Sequence, residues 1–323
     1  MKLAHLLTLS SLALIQSTQA VTVVLDYTYD TNNFFGNAQA KASLEAAVAQ
    51  YTSVIDQSFS AITPGGSNTW DAVFLDPSTG QERRVTDLVI PADTIVIYVG
   101  ARDLNPVGSG TPGNPLARNL GRAGRGGFSA SGTLEFNEAV LRGDSADKYA
   151  LWGGVATFDI NADWQLDHTS SAIGSEQSDF YTVAVHELGH LFGIAADNDA
   201  WNDHWTQGST VGDPGQFTGV NALAAYNSDN GLTASFVPTV LASVEDPTNR
   251  HFLEGLESYL PGTTTLQEAS LDPTILNGTR KHLTNVDIAA LYDIGWRVPE
   301  PSTSIMLALS ATTLILRRRR YGF

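Results

Sequence analysis

Two histidines and one glutamate stand close together in the chain with a spacing that suits a metal ion. His186 and His190 are four residues apart, and Glu187 directly follows the first of them. On a helix, a spacing of four places both imidazoles on the same face, one turn apart. Glu187 then lies beside them, where it can reach a metal-bound water without being a ligand. This HExxH arrangement is the one that zinc hydrolases use, so it predicts metal-assisted hydrolysis.

The flanking residues indicate that the motif lies on a helix with a start, a buried side and an end. Ser178 or Asp179 is a suitable N-cap ahead of an apolar stretch, and Gly193 can end the helix in a left-handed conformation. The alternative interpretation is two histidines on a half-buried helix with a solvated glutamate. The side chains expected to pack against a core are Phe180, Val183, Ala184, Leu188 and Leu191.

A catalytic zinc ion needs a third protein ligand and keeps one position open for water, whose pKa it lowers to about 7. Glu187 is the expected general base that takes the proton of this water. Among the other histidines, His5 lies in a targeting segment and His168 precedes the helix. His204 and His251 therefore remain as candidates for the third ligand.

The pattern from His186 to Gly193 resembles the metzincins. Their short form places the third histidine three residues after the glycine, where this chain has Ala196, which cannot bind a metal. The leishmanolysin-like metzincins carry a long insertion there, and the segment 217–226 resembles this insertion. The segment 251–255 resembles the part that supplies their third histidine. The resemblance therefore implies His251 as the third zinc ligand, with His204 as the second candidate.

Further segments extend the resemblance and show two departures from the family. The segment 267–273 stands at the Met-turn, with Leu271 in place of the methionine, and 279–296 resembles the closing helix. Upstream, 94–103 and 126–132 resemble the strand and loop before the site. Leu is similar to Met in size and apolarity, so we expect a tolerated exchange. The second departure is the absence of cysteine, since leishmanolysins are disulfide-bonded.

The resemblance implies a secreted zinc-dependent metalloendopeptidase that acts on polypeptide substrates. Such an enzyme also needs a group that stabilises the oxyanion, for which the candidates are Tyr226, Tyr259 and Tyr292. One alternative is a non-catalytic, zinc-binding exported surface or matrix protein that keeps the protease fold. Another is a zinc site whose third ligand is a glutamate, such as Glu254 or Glu257.

Both ends of the chain resemble sorting signals. Residues 1–20 have a positive start, an apolar stretch and a small-residue cleavage site, which predicts a signal peptide. Residues 299–323 combine Pro-Glu-Pro, a short apolar segment and four arginines, which resembles the PEP-CTERM signal of Gram-negative bacteria. This implies cleavage by an exosortase after transient membrane contact, and a secreted or cell-surface protein. The alternative for the tail is a permanent membrane anchor.

Composition and charge restrict the partners and cofactors. The net charge of −16 disfavours nucleic acid and anionic lipid. Two oxygen-rich clusters could bind Ca²⁺, although solvated loop carboxylates are the simpler interpretation because the first cluster lacks the glycine of a calcium loop. The clusters are Asp159, Asn161, Asp163 and Asp167, and Asp197, Asn198, Asp199 and Asp203.

The periodicity of apolar residues predicts an α+β fold for the domain 21–298. We expect a first strand over 21–27, a long helix over 37–59, and strands over 72–75, 85–90, 94–99, 133–137 and 155–160. We expect 103–127 to form a loop over the sheet. The metzincin resemblance implies two lobes, with a mixed sheet and helices before the site helix. It also implies a largely irregular C-terminal lobe, which closes with a helix that begins at Thr284 and ends near Gly295.

Overall fold

The computed structural model describes residues 21–105, 119–142, 149, 151–195, 197–208, 213–240 and 251–297. The predicted signal peptide and the predicted sorting tail lie outside these residues. Among the described residues, no helix combines the length and the apolar character that a membrane crossing requires.

Helices and short sheets alternate along the chain, which gives the α+β class that the sequence predicts. The strands are β1 (Thr22–Asp26), β2 (Thr69–Leu75), β3 (Glu82–Thr86), β4 (Thr94–Arg102), β5 (Gly121–Arg125), β6 (Gly127–Ser131), β7 (Gly153–Asp159), β8 (Trp164–Gln165), β9 (Ser178–Asp179), β10 (Trp205–Thr206), β11 (Gly215–Phe217), β12 (Val237–Thr239), β13 (Glu257–Tyr259) and β14 (Leu266–Glu268). The helices are α1 (Ala38–Thr52), α2 (Leu134–Leu141), α3 (Phe180–Leu191), α4 (Asp199–Asn202), α5 (Val220–Asn230) and α6 (Asn285–Asp293).

The central sheet has the strand order β1-β4-β7-β5, with β1, β4 and β7 parallel and β5 antiparallel at one edge. Successive side chains of a strand point to opposite faces, so β4 serves two apolar cores. Ile95, Ile97 and Val99 belong to the main core with α1 and α3, whereas Val96 and Tyr98 belong to a smaller core beneath the second sheet. The two faces together bury nearly all of β4, which explains its continuous apolar run.

The second sheet has the strand order β3-β2-β6. The chain around β6 differs from two predictions. The segment 133–137 is the start of α2 and not a strand, because the Thr133 side chain caps this helix by accepting a hydrogen bond from the Phe136 amide. The predicted loop over 103–127 contains β5, and β6 follows directly. The glycines of these two strands obscured their extended conformation in the sequence.

The predicted first helix is shorter than expected. Asn37 accepts hydrogen bonds from two amides at the start of α1, and the helix ends at Thr52 rather than near Phe59. The predicted apolar positions Leu44, Val48 and Tyr51 are buried in the main core.

The C-terminal part of the domain is more regular than predicted. It contains α4, α5 and five short strands, and α5 packs against α6. The closing helix α6 begins with the expected capping box, in which Thr284 and Asp287 each bond the other's backbone amide. It ends at Asp293, two residues before Gly295, whose φ is +106°.

Candidate metal centre

The helix α3 carries the HExxH motif and is anchored at both ends. Asp179 is the N-cap, and its carboxylate accepts hydrogen bonds from the Thr182 amide and hydroxyl at 3.2 and 2.7 Å. The same carboxylate pairs with Arg280 at 2.6 Å, which ties the helix start to the segment before α6. At the other end Gly193 has a φ of +109°, in agreement with the predicted helix stop.

The helix lies between α1 and the turn that contains Leu271, and Gly189 makes this close packing possible. A Cβ at Gly189 would lie 2.7 Å from both terminal methyl carbons of Leu271 and 2.9 Å from the Tyr51 hydroxyl. The Tyr51 hydroxyl donates a hydrogen bond of 2.6 Å to the carbonyl of Val185. The absence of a side chain at position 189 therefore lets α3 sit directly on Leu271.

Three imidazoles converge beside this helix. The Nε2 atoms of His186 and His190 are 3.1 Å apart, and they lie 3.1 and 3.0 Å from the Nε2 atom of His251. His186 is buried, whereas His190 and His251 are half-buried. Within the described residues, these three form the one group of histidine, cysteine or acidic side chains close enough together to hold a metal ion.

The protonation of the imidazoles fits a cation at their centre. His186 Nδ1 lies 2.7 Å from the Ser270 carbonyl, and His190 Nδ1 lies 2.7 Å from the Ile194 carbonyl. A carbonyl only accepts, so each Nδ1 carries the proton and each neutral ring presents an Nε2 lone pair. Two lone pairs that face each other at 3.1 Å repel unless a cation lies between them. The donor set therefore fits a metal that prefers imidazole nitrogen, and zinc is such a metal.

The backbone around His251 connects it to the floor of the site. The His251 carbonyl accepts a hydrogen bond from the Val240 amide at 3.0 Å, and the Phe252 amide donates to the Leu271 carbonyl at 2.9 Å. Phe252, which directly follows His251, is fully buried in the main core and fixes the backbone there. This arrangement brings His251 to the site although 60 residues separate it from His190 in the sequence.

His204 does not join the cluster. Its Nε2 lies 3.0 Å from the carbonyl of Asp293 at the end of α6, and its ring contacts Phe217. Of the two candidates for a third ligand, the structure thus brings His251 to the other two imidazoles, whereas His204 packs between α4, β11 and α6.

Leu271 packs against α3 at Gly189, and the turn that carries it is held by a residue that the sequence suggested only as a helix cap. The Asp287 carboxylate accepts hydrogen bonds from the Ser270 and Leu271 amides at 2.9 and 3.2 Å, besides those of its capping box. Next to the turn, the buried ammonium of Lys281 lies 2.7 Å from both oxygens of Asp272. These contacts fix the Ser270 carbonyl that orients His186.

Glu187 is buried between α3 and the edge strand β5. Burial raises the pKa of its carboxyl to about 8, while a hydrogen bond from the Ala123 amide and the charge of Arg122 act in the opposite direction. Gly121 leaves room for this side chain, since a Cβ there would lie 2.5 Å from Glu187 Cγ. Glu187 is not a member of the group of three histidines that could hold a metal ion.

The other predicted site residues fall into two sets. Glu254 and Glu257 are exposed, and neither belongs to the group that His186, His190 and His251 form. The candidates for oxyanion stabilisation, which make no hydrogen bond to His186, Glu187 or His190, are Tyr226 on α5, Tyr259 on β13 and Tyr292 on α6.

The two oxygen-rich clusters do not form a group of three carboxylates within the described residues. Asp159 is buried and accepts hydrogen bonds from the Leu104 amide and the Asn105 side chain. Asn198 caps α4 and donates to the carbonyl of Gly193. In the described chain these side chains therefore serve turns and helix ends, and calcium binding remains a prediction.

The imidazole cluster predicts a marked loss of stability of the metal-free protein in mild acid. Burial lowers the pKa of His186 to about 3 and also lowers the pKa values of His190 and His251. Below about pH 6.5 the unfolded chain takes up protons that the folded chain does not. As the pH falls below 6.5, each imidazole should then lower the free energy of unfolding by about 1.4 kcal/mol per pH unit. Above pH 6.5 this loss of stability disappears.

Urea unfolding of chelator-treated protein between pH 5 and pH 7.5 measures this slope. We expect the change of the free energy of unfolding with pH to be smaller in His251→Ala, by about the contribution of one imidazole. The raised pKa of the Glu187 carboxyl gives a slope of opposite sign in the same pH range, so the comparison with His251→Ala carries the test. Equal slopes in the two proteins would contradict the neutral state of the cluster.

Comparison with known proteins adds no relative to these observations. No protein-family model matches the chain, and no curated protein and no solved structure matches it. The interpretation of the site therefore depends on its own geometry.

Proposed function

We propose that the domain 21–298 is a zinc-dependent metalloendopeptidase of the leishmanolysin-like metzincin type, exported by the cell. The observation that carries the proposal is the convergence of three neutral imidazoles beside a buried carboxylate that is not a ligand. A zinc site with a purely structural role has no need of such a carboxylate. Leu271 beneath the cluster and the closing helix α6 agree with the same family resemblance.

Each side chain has a defined part in this proposal. His186, His190 and His251 would hold the zinc, which supplies a Lewis acid that activates water and polarises the scissile carbonyl. The Ser270 and Ile194 carbonyls keep two of the rings in the tautomer that binds metal. Glu187 accepts the proton of the attacking water and delivers it to the leaving amine.

Casein cleavage with and without a chelator tests the proposal. The mature domain 21–298 with zinc should cut casein, a zinc chelator should abolish cleavage, and added zinc should restore it. Zinc at about 100 times its Kd should also raise the free energy of unfolding by about 2.7 kcal/mol. A zinc-loaded protein that cuts no polypeptide would favour the non-catalytic surface protein, and a protein that binds no zinc would contradict both functions.

The position of Glu187 gives a prediction that can be tested with glycine variants. Gly121→Ala inserts a methyl group 2.5 Å from Glu187 Cγ, so the carboxylate or the strand must shift. A displacement of about 1 Å near the reacting groups can cost about 100-fold in rate. We therefore expect kcat/KM for a peptide substrate to fall by about 10- to 100-fold, with unchanged zinc stoichiometry.

Gly124→Ala is the matched control, because no atom lies within 4 Å of the position its Cβ would take. This variant should keep kcat/KM within about twofold of the unmodified protein, as expected of a surface change. Equal activity of the two alanine variants would contradict the assigned position of Glu187.

A further inference from the structure

The edge strand β5 lies directly over the proposed catalytic groups. It is the last strand of the sheet and pairs only with β7 among the described residues. Its Ala123 amide bonds Glu187, and Gly121 contacts the same side chain. An extended polypeptide that approaches Glu187 and the imidazoles therefore passes along this strand.

The hydrogen-bonding direction of β5 follows from its pairing with β7. The Leu120 carbonyl accepts from the Asp159 amide, and the Gly126 amide donates to the Gly153 carbonyl. Because these groups alternate in an antiparallel pair, Arg122 and Gly124 also direct their amide and carbonyl groups toward β7. Gly121, Ala123 and Arg125 direct theirs toward the free edge. A polypeptide added to this edge would bond the odd-numbered residues, apart from the Ala123 amide, which donates to Glu187.

Arg122 then occupies a non-hydrogen-bonded position relative to the added chain. At such positions the Cβ atoms of directly opposed residues are about 4.5 to 5.5 Å apart, and the two side chains project from the same face. Gly124, the next residue of β5 on the same face as Arg122, has no side chain and leaves space beside the Arg122 guanidinium. A residue of the added chain therefore meets this guanidinium directly.

The two arginines of β5 differ in their partners. Arg125 donates to the Asp197 carbonyl at 2.7 Å and lies over the Tyr149 ring. Arg122 is exposed, and within the described residues the structure shows no hydrogen bond or ion pair for it. Its charge acts on Arg102 and on Glu187, so a second arginine lies near it at this end of the sheet. In a chain of net charge −16, this positive site beside the metal centre stands out.

We propose that Arg122 selects polypeptides that carry an aspartate or glutamate opposite it, next to the bond that is cut. This substrate preference rests on the proposed endopeptidase function. Opposite charges in a cross-strand pair contribute about 0.2 to 1 kcal/mol, which corresponds to about a 1.4- to fivefold preference over a neutral residue. The preference should weaken at 0.5 M salt, because exposed charges are screened.

Cleavage of a peptide library tests the preference in the active enzyme. Mass spectrometry of the products should show an acidic residue enriched at one position near the cleaved bond. Arg122→Gln should lose this enrichment, and Arg122→Glu should replace it with lysine and arginine. Arg84→Gln is the matched control, since Arg84 is an exposed arginine on β3 that pairs with Glu82. It removes one positive charge from another strand and should keep the enrichment.

A binding measurement separates this inference from the proposed function. The Glu187→Gln variant loaded with zinc is mixed with a labelled alanine-based decapeptide that carries one glutamate, or with its glutamine counterpart. Fluorescence anisotropy should show about 1.4- to fivefold tighter binding of the glutamate peptide, and Arg122→Gln in the same background should abolish the difference. Equal binding of both peptides, or cleavage without acidic enrichment, would overturn the role of Arg122. Charge-dependent binding by the Glu187→Gln variant, together with no cleavage of the library by the unmodified zinc-loaded protein, would overturn the endopeptidase function and leave the role of Arg122 supported.

Discussion

Glu187→Gln should reduce kcat for a peptide substrate by about 10²- to 10⁴-fold and leave zinc binding unchanged, because this is the range lost when a general base is removed. The glutamine keeps the size of the side chain and an oxygen that can accept the Ala123 amide hydrogen bond. It cannot accept a proton from water at neutral pH. The loss should therefore appear in kcat rather than in KM or in the free energy of unfolding.

Glu254→Gln is a suitable control for this variant. Glu254 is exposed, follows His251 by three residues and undergoes the same chemical change. We expect it to keep both activity and zinc stoichiometry, measured by steady-state kinetics and by atomic absorption. If Glu187→Gln were as active as the unmodified protein, Glu187 would not be the base. If the unmodified protein and Glu187→Gln were both inert but bound zinc equally, the site would be structural.

The motif on α3 could be read from the sequence because it is local. The N-cap at Asp179, the helix stop at Gly193 and the shared face of His186 and His190 all depend on residues close together in the chain. The same holds for the capping box at Thr284 and Asp287. Local hydrogen bonding and helical periodicity decide such features, so one sequence contains the necessary information.

Contacts between distant segments could not be read in this way. Asp287 was recognisable as a capping residue, but its bonds to the Ser270 and Leu271 amides depend on how α6 packs against a turn that precedes it by 16 residues or more. Ala123 and Gly121 lie far before Glu187 in sequence and carry no reactive group. The glycines of β5 and β6 suggested a loop, since a strand without side-chain alternation has no period of two. Pairing with β7 and β2 is what makes these segments extended.

The second large effect concerns the third metal ligand. Loss of an outer-sphere partner lowers metal affinity by up to about 100-fold. His251→Ala removes a proposed direct ligand, so we expect zinc affinity to fall by more than this. Zinc stoichiometry after dialysis should fall from one ion per chain to nearly none, and casein cleavage should cease. Two imidazoles would remain, and the Leu271 floor and the Asp287 bonds do not involve the His251 side chain. The circular dichroism of the variant should therefore stay that of a folded domain.

His204→Ala provides the matched comparison, because it removes the same side chain from the candidate that the structure places elsewhere. It loses the hydrogen bond to the Asp293 carbonyl and the contact with Phe217, which should cost about 1 kcal/mol of stability or somewhat more. Zinc stoichiometry and kcat should remain those of the unmodified protein. If His204→Ala lost its zinc while His251→Ala kept it, the functional metal site would differ from the observed cluster. The assignment of Glu187 as the base would then lose its geometric support, since its role depends on a metal at the three Nε2 atoms.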